Sequence, residues 1–111
     1  MHELGIAQNI IAIVETEAEK QKFQRVVSIK LSIGELSGIV PECLSDFFPI
    51  ASRGTVAEGA RLTSDMIRAK VRCLTCGYEG RPDKGCCPDC GGSDIKLIAG
   101  REFFVDSIEV E

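Results

Sequence analysis

The sequence predicts an α+β fold, a small three-stranded sheet with two helices, interrupted by a four-cysteine, zinc-ribbon-like module. Three observations carry that expectation. Apolar residues recur at helical spacing from Leu4 to about Lys20. They then alternate from Val27 to Ile33 as in a half-buried strand. Finally, two Cys-x-x-Cys hooks, Cys73-Leu74-Thr75-Cys76-Gly77 and Cys87-Pro88-Asp89-Cys90-Gly91, face each other across ten residues.

Along the first helix Leu4, Ala7, Ile11, Val14 and Ala18, with Ile10 in the same stripe, oppose Gln8, Glu15 and Glu19. Ile6 and Ile13 are read as the margins of a wide buried face, since a helix lying on a sheet buries a broad arc. After a polar link, Gln21 to Gln24, the first strand turns Val27, Ile29, Leu31 and Ile33 inward and Ser28, Lys30 and Ser32 outward. Gly34-Glu35-Leu36-Ser37-Gly38 follows as a turn, because its glycine spacing fits neither the dinucleotide fingerprint nor the P-loop.

Pro41 suits the first turn of a second helix, where its missing N–H would have been unpaired anyway. Leu44, Phe47, Phe48 and Ala51 form its apolar face, and Pro49 predicts a kink or an end near Phe48. Cys43 reads as a small half-buried apolar residue. Gly54 and Gly59 bracket a connection, and Leu62 to Val71 reads as one strand leading into the hooks. Gly91-Gly92-Ser93-Asp94 closes the module, and Ile95 to Ile98 returns beside the incoming strand. In the last stretch Phe103 and Val105 lie in one phase and Ile108 and Val110 in the other, so a bulge is expected near Asp106-Ser107. This strand returns to the first domain as its third, since an isolated pair is marginal. The expected organisation is residues 1–70 plus 99–111 as one domain, with 71–98 inserted.

A chain of 111 residues allows one modest core, consistent with a small domain and a satellite. No apolar run approaches a membrane span. A net charge of −4 argues against general attraction to nucleic acid or acidic membranes. Between Lys70 and Arg101 six basic residues face four acidic ones, but a zinc–tetrathiolate adds a charge of about −2, leaving the module near neutral. Neither nucleic acid nor membrane is an expected partner. Glu3 stands where a signal peptide carries basic residues, which makes the cytoplasm the expected compartment.

Each Cys-x-x-Cys hook points both sulfurs at one point, and the glycine after it, Gly77 or Gly91, lets backbone amides approach the thiolates. Cys73, Cys76, Cys87 and Cys90 thus supply the tetrahedral sulfur set that Zn²⁺ prefers. Two disulfides would need an oxidising compartment. Cys86 and Cys90 would make a wider hook, so Cys87 is the expected ligand. With a single His, Ser-His-Asp or Cys-His catalysis would have to run through His2, and a four-Cys zinc has no open position for water, so no enzyme is expected. Two other classes fit the hooks: a rubredoxin-like electron-transfer protein holding iron, and a zinc-ribbon module acting through protein contacts alone.

Met1-His2-Glu3, the helix–strand–helix–strand unit, Gly34-Glu35, Glu58-Gly59-Ala60-Arg61-Leu62, the two hooks and the terminal Ser107-Ile108-Glu109-Val110-Glu111 together resemble the HypA family of nickel metallochaperones. The likeness spans essentially the whole chain; Cys86 and Pro49 are departures. It implies a nickel-binding domain, a separate structural zinc domain, partnership with the GTPase HypB and delivery to the large subunit of [NiFe]-hydrogenase. It also directs attention to the chain start. A His before a helix is ordinarily just a His, but the bulky second residue should preserve Met1, and the first amides of a helix lack intrahelical acceptors. The Met1 amine, the His2 amide and imidazole and the Glu3 amide can then form the square-planar nitrogen field that Ni²⁺ favours.

Overall fold

Helix α1 spans Glu3–Gln21 and buries Ala7, Ile10, Ile11, Val14 and Ala18, the spacing of a single helical stripe. The computed structural model describes residues 3–111. Two residues expected to be covered are not: Leu4 is 41% and Ile13 50% exposed. The buried arc is therefore narrower than a helix lying broadly on a sheet would show.

Strand β1 (Val26–Gly34) is the middle of a three-stranded sheet, between β2 (Arg61–Ile67) and β6 (Phe103–Val110). It buries Val26, Ile29, Leu31 and Ile33, while Val27, expected inside, is exposed. The reason is a register shift between Val26 and Ser28 opposite β6, which makes Val27 the extra residue of a bulge and changes the phase of alternation.

Helix α2 (Pro41–Ala51) opens on Pro41 and buries Leu44 and Phe48. Of the kink or end expected near Phe48, the end is not seen: the helix runs on through Pro49 to Ala51. The carbonyl that loses its N–H partner there is that of the exposed Ser45, free to bond water, so the helix continues until the Ser52 N–H caps the Phe48 carbonyl at 2.9 Å. Phe47 and Cys43, read as inward-facing or half-buried, are both exposed.

Strand β2 (Arg61–Ile67) pairs parallel to β1, from Ser28 with Arg61 to Gly34 with Ile67, which makes β1-α2-β2 a crossover unit. The single strand expected over Leu62 to Val71 is two. At Arg68-Ala69 the chain leaves the first sheet, and β3 (Lys70–Cys73) begins a second three-stranded sheet of order β4-β3-β5. Strand β4 is only Glu79–Gly80 and β5 is Ile95–Ala99, both antiparallel to β3. Strand β6 (Phe103–Val110) then returns antiparallel to β1. Its partners run from Ile33 with Phe103 to Leu31 with Val105, then from Lys30 with Ser107 onward, leaving Asp106 unmatched. This is the bulge expected from the change of phase. Phe103, Val105 and Ile108 pack against the core formed by the helices and β1.

Candidate metal centre

The alternation of β3 buries Val71 and Cys73 and exposes Lys70 and Arg72, which delivers the first cysteine to the interior of the second sheet. Both hooks then close by the same pattern of backbone hydrogen bonds. The Gly77 N–H donates to the Cys73 carbonyl at 3.0 Å and the Cys73 N–H to that of Tyr78 at 2.8 Å. Likewise the Gly91 N–H donates to Cys87 at 2.9 Å and the Cys87 N–H to Gly92 at 2.8 Å. Gly77 and Gly91 adopt φ of +81° and +74°, the left-handed backbone that glycine enters without a Cβ clash. The two turns are related by an approximate local symmetry, and the Leu74 N–H ties the first to Asp94 at 2.9 Å.

The Sγ atoms of Cys73, Cys76, Cys87 and Cys90 all lie within 4.8 Å of one another. Cys73 and Cys90, and Cys76 and Cys87, stand 3.6 Å apart. A tetrahedron with Zn–S bonds of about 2.3 Å has edges of about 3.8 Å, so the array matches the size of a four-Cys zinc site. At 3.6 Å these sulfur pairs stand well beyond a disulfide bond of about 2.05 Å, and their convergence on one point fits a shared metal better than two disulfides. The Asp89 and Cys90 amides point at the Cys87 sulfur, at 3.3 and 3.5 Å, as expected for groups that stabilise a thiolate. Cys86 is outside the quartet; it closes a tight turn with Asp83, the Cys86 N–H donating to the Asp83 carbonyl at 2.9 Å and the Asp83 N–H to the Cys86 carbonyl at 2.8 Å.

Charge within the quartet is unevenly shared. Amides of Cys76 and Thr75 draw the Cys73 thiol down to about 6. At Cys76 the Tyr78 amide lowers the thiol, but burial and the neighbouring sulfurs of Cys87, Cys73 and Cys90 outweigh it and push it up to about 12. At Cys90 the Gly92 amide also lowers, and Cys73 with burial prevails to raise it. The first thiolate formed thus opposes the next, as like charges sharing a site do, and a divalent cation removes that opposition.

Of the expected nickel ligands, Met1 and His2 lie outside the described residues. Glu3 is the first residue of α1; it is 5% exposed, and its Oε2 has no hydrogen-bond partner among the described residues. Helix α1 runs against the direction of β1. Ala18 and Glu19 share a groove with Phe23 and Val56, beside the start of β1, whereas Asn9 and Ile13 share one with Phe103 and Val105, the partners of Ile33 and Leu31. The start of α1 therefore lies toward Gly34, the end of the sheet at which the cysteine-bearing unit is attached. The sequence alone did not reveal this placement, because it depends on the pairing of β6 with β1.

Over residues 1–110 the chain matches the family described as "Hydrogenase/urease nickel incorporation, metallochaperone, hypA". It is 40% identical over 114 residues to the hydrogenase maturation factor HypA of Caldanaerobacter subterraneus subsp. tengcongensis, covering 100% of both chains. It is 42% identical over 111 residues to that of Archaeoglobus fulgidus, covering 100% of this chain and 99% of the relative. Its fold is similar to the solution structure of the Ni metallochaperone HypA from Helicobacter pylori, with a TM-score of 0.71 at 23% identity, over 99% of this chain and 97% of that one.

Proposed function

The chain belongs to the HypA family of metallochaperones for nickel incorporation into hydrogenase, and we propose that it takes up Ni²⁺ through its first three residues and hands it on as [NiFe]-hydrogenase matures. The observation that carries this reading is the match over residues 1–110, which takes in the chain start as well as the four-Cys zinc site. The protein binds and delivers; it catalyses nothing. Rubredoxin-like electron transfer would account for four thiolates but for nothing in helix α1 or the first sheet.

In this reading Cys73, Cys76, Cys87 and Cys90 hold a structural zinc, with no coordination position left open. Nickel is cargo, bound by the Met1 amine, the His2 amide and imidazole and the Glu3 amide. Residues 1–70 plus 99–111 form the nickel-binding domain and 71–98 the zinc domain; the second sheet, from Lys70 to Ala99, supports those limits to within one residue. Maturation requires partners, and the GTPase HypB and the hydrogenase large subunit are the proposed ones. Unpaired cysteines persist in reducing compartments, which supports a cytoplasmic site of action.

Nickel calorimetry on zinc-loaded protein beginning at Met1 tests the proposal. His2→Ala should abolish specific binding while leaving zinc in place, and an extra residue before Met1 should act almost as severely, since it converts the amine to an amide. Glu3→Gln keeps the backbone nitrogen and should weaken binding less. Because amine and amides must release protons, binding should weaken steeply as pH falls. Unchanged affinity in both the His2→Ala and extended forms would remove this mechanism.

A further inference from the structure

Glu35 follows β1 directly and takes no part in either metal site, yet its carboxylate joins three separate segments of the chain. Oε1 accepts the Ala69 N–H at 2.7 Å and Nη1 of Arg81 at 3.0 Å, while Oε2 accepts Nη2 of Arg81 at 3.3 Å. Ala69 lies in the two-residue link between β2 and β3, and Arg81 follows β4 in the cysteine-bearing unit. Among the described residues this is the one ion pair joining the two units; the others stay within the first sheet and its ends or within the second sheet.

We propose that Glu35 is a positioning residue that sets the angle between the cysteine-bearing unit and the α+β unit, at the end of the molecule where the chain begins. Gly34 N–H donates to the Glu102 carbonyl at 2.6 Å, Glu35 N–H to Ile67 at 2.8 Å and Leu36 N–H to Gly100 at 2.6 Å, but these bonds reach only the end of β2 and the link from β5 to β6. Beyond them the second unit is a lever on a molecule whose Cα atoms extend 53 Å along the long axis and 16 Å along the short one. A guanidinium gripped through two nitrogens resists rotation in its plane, which a single hydrogen bond does not. The Ala69 amide holds the carboxylate in register for that grip. The inference does not depend on nickel binding at the chain start.

Residual dipolar couplings on the full, zinc-loaded chain test it. In the unaltered protein, N–H couplings from both units should fit one alignment tensor. In Arg81→Ala and Glu35→Gln each unit should still fit a tensor of its own, with zinc content unchanged, while a joint fit fails. Arg101→Ala, which removes a cation near the junction that makes no ion pair among the described residues, should leave the joint fit intact. Should Glu35→Gln disturb the fit within a unit, Arg81→Ala decides, because it keeps the Glu35–Ala69 bond. A joint fit that survives in Arg81→Ala overturns the proposal.

Discussion

Deleting Asp106 from the middle of β6 should leave the fold nearly as stable as before. Mid-strand deletions ordinarily flip every residue on one side of the cut to the other face of the sheet. Here the pairs Lys30 with Ser107 and Leu31 with Val105 flank Asp106, which has no partner of its own. Removing it brings Ser107 next to Val105 in regular register, with Val105 still facing Leu31 and Ser107 still exposed. No apolar burial is lost, so the expected change is under about 1 kcal/mol, the range of an exposed alteration with some loss of local twist. Deleting Val105 instead sets the Asp106 carboxyl opposite Leu31. Forfeiting a half-buried valine removes about 1 kcal/mol, and an unpartnered carboxyl turned inward costs about 1–3 kcal/mol more. At roughly 4–8 °C per kcal/mol, the two deletions, about 1–4 kcal/mol apart, should differ by about 4–30 °C in Tm. Thermal unfolding followed by circular dichroism in zinc-replete buffer measures both. Equal losses from the two deletions would refute the assigned register.

Cys87→Ser should release zinc and unfold the second sheet, whereas Cys86→Ser and Cys43→Ser should retain zinc in full; retention in Cys87→Ser with loss in Cys86→Ser would reverse the ligand choice. Truncation after Gly100 removes β6 and uncovers one edge of β1, so amide exchange in α1 and α2 should accelerate, and unaltered protection there would contradict the pairing. The Glu35 carboxylate is held down to about 2 by Arg81 and then by the Ala69 amide, so its contribution is complete above the ordinary carboxylate range and is lost only as pH falls through about 2. Between about pH 6 and 3.5 the Ala69 amide resonance should therefore not titrate; a midpoint near the ordinary carboxylate value of 4.5 would show that the contact is not made in solution.

What could be read from the sequence depended on whether a local pattern encoded it. The hooks were legible because two Cys-x-x-Cys-Gly runs place their sulfurs by short-range geometry, and the Asp106 bulge because a change of alternation phase appears within eight residues, Phe103 to Val110. The bulge at Val27 was missed, since Val26 and Val27 are both apolar and either could face inward. The break at Arg68-Ala69 was missed because an extended link between two sheets looks locally like continuing strand. Strand β2 is an outer strand that pairs on one side only, and Ser64 and Met66 on it are both exposed. Phe47 and Cys43 lie on α2 away from the buried face of Leu44 and Phe48, an orientation that helical periodicity constrains to no better than a margin.

The bulge at Asp106 has a further consequence if its removal costs the folded chain as little as predicted. Strand β6 is an outer strand, and Phe103-Phe104-Val105 gives it an apolar, aromatic stretch with one backbone edge unpaired within the sheet. Such an edge is a template for a foreign strand, and an unmatched acidic residue that bends it makes it a poor one. The residue that the fold can spare would then protect molecules from one another. Its deletion should appear as light scattering that grows with protein concentration, in a chain whose own unfolding has scarcely changed.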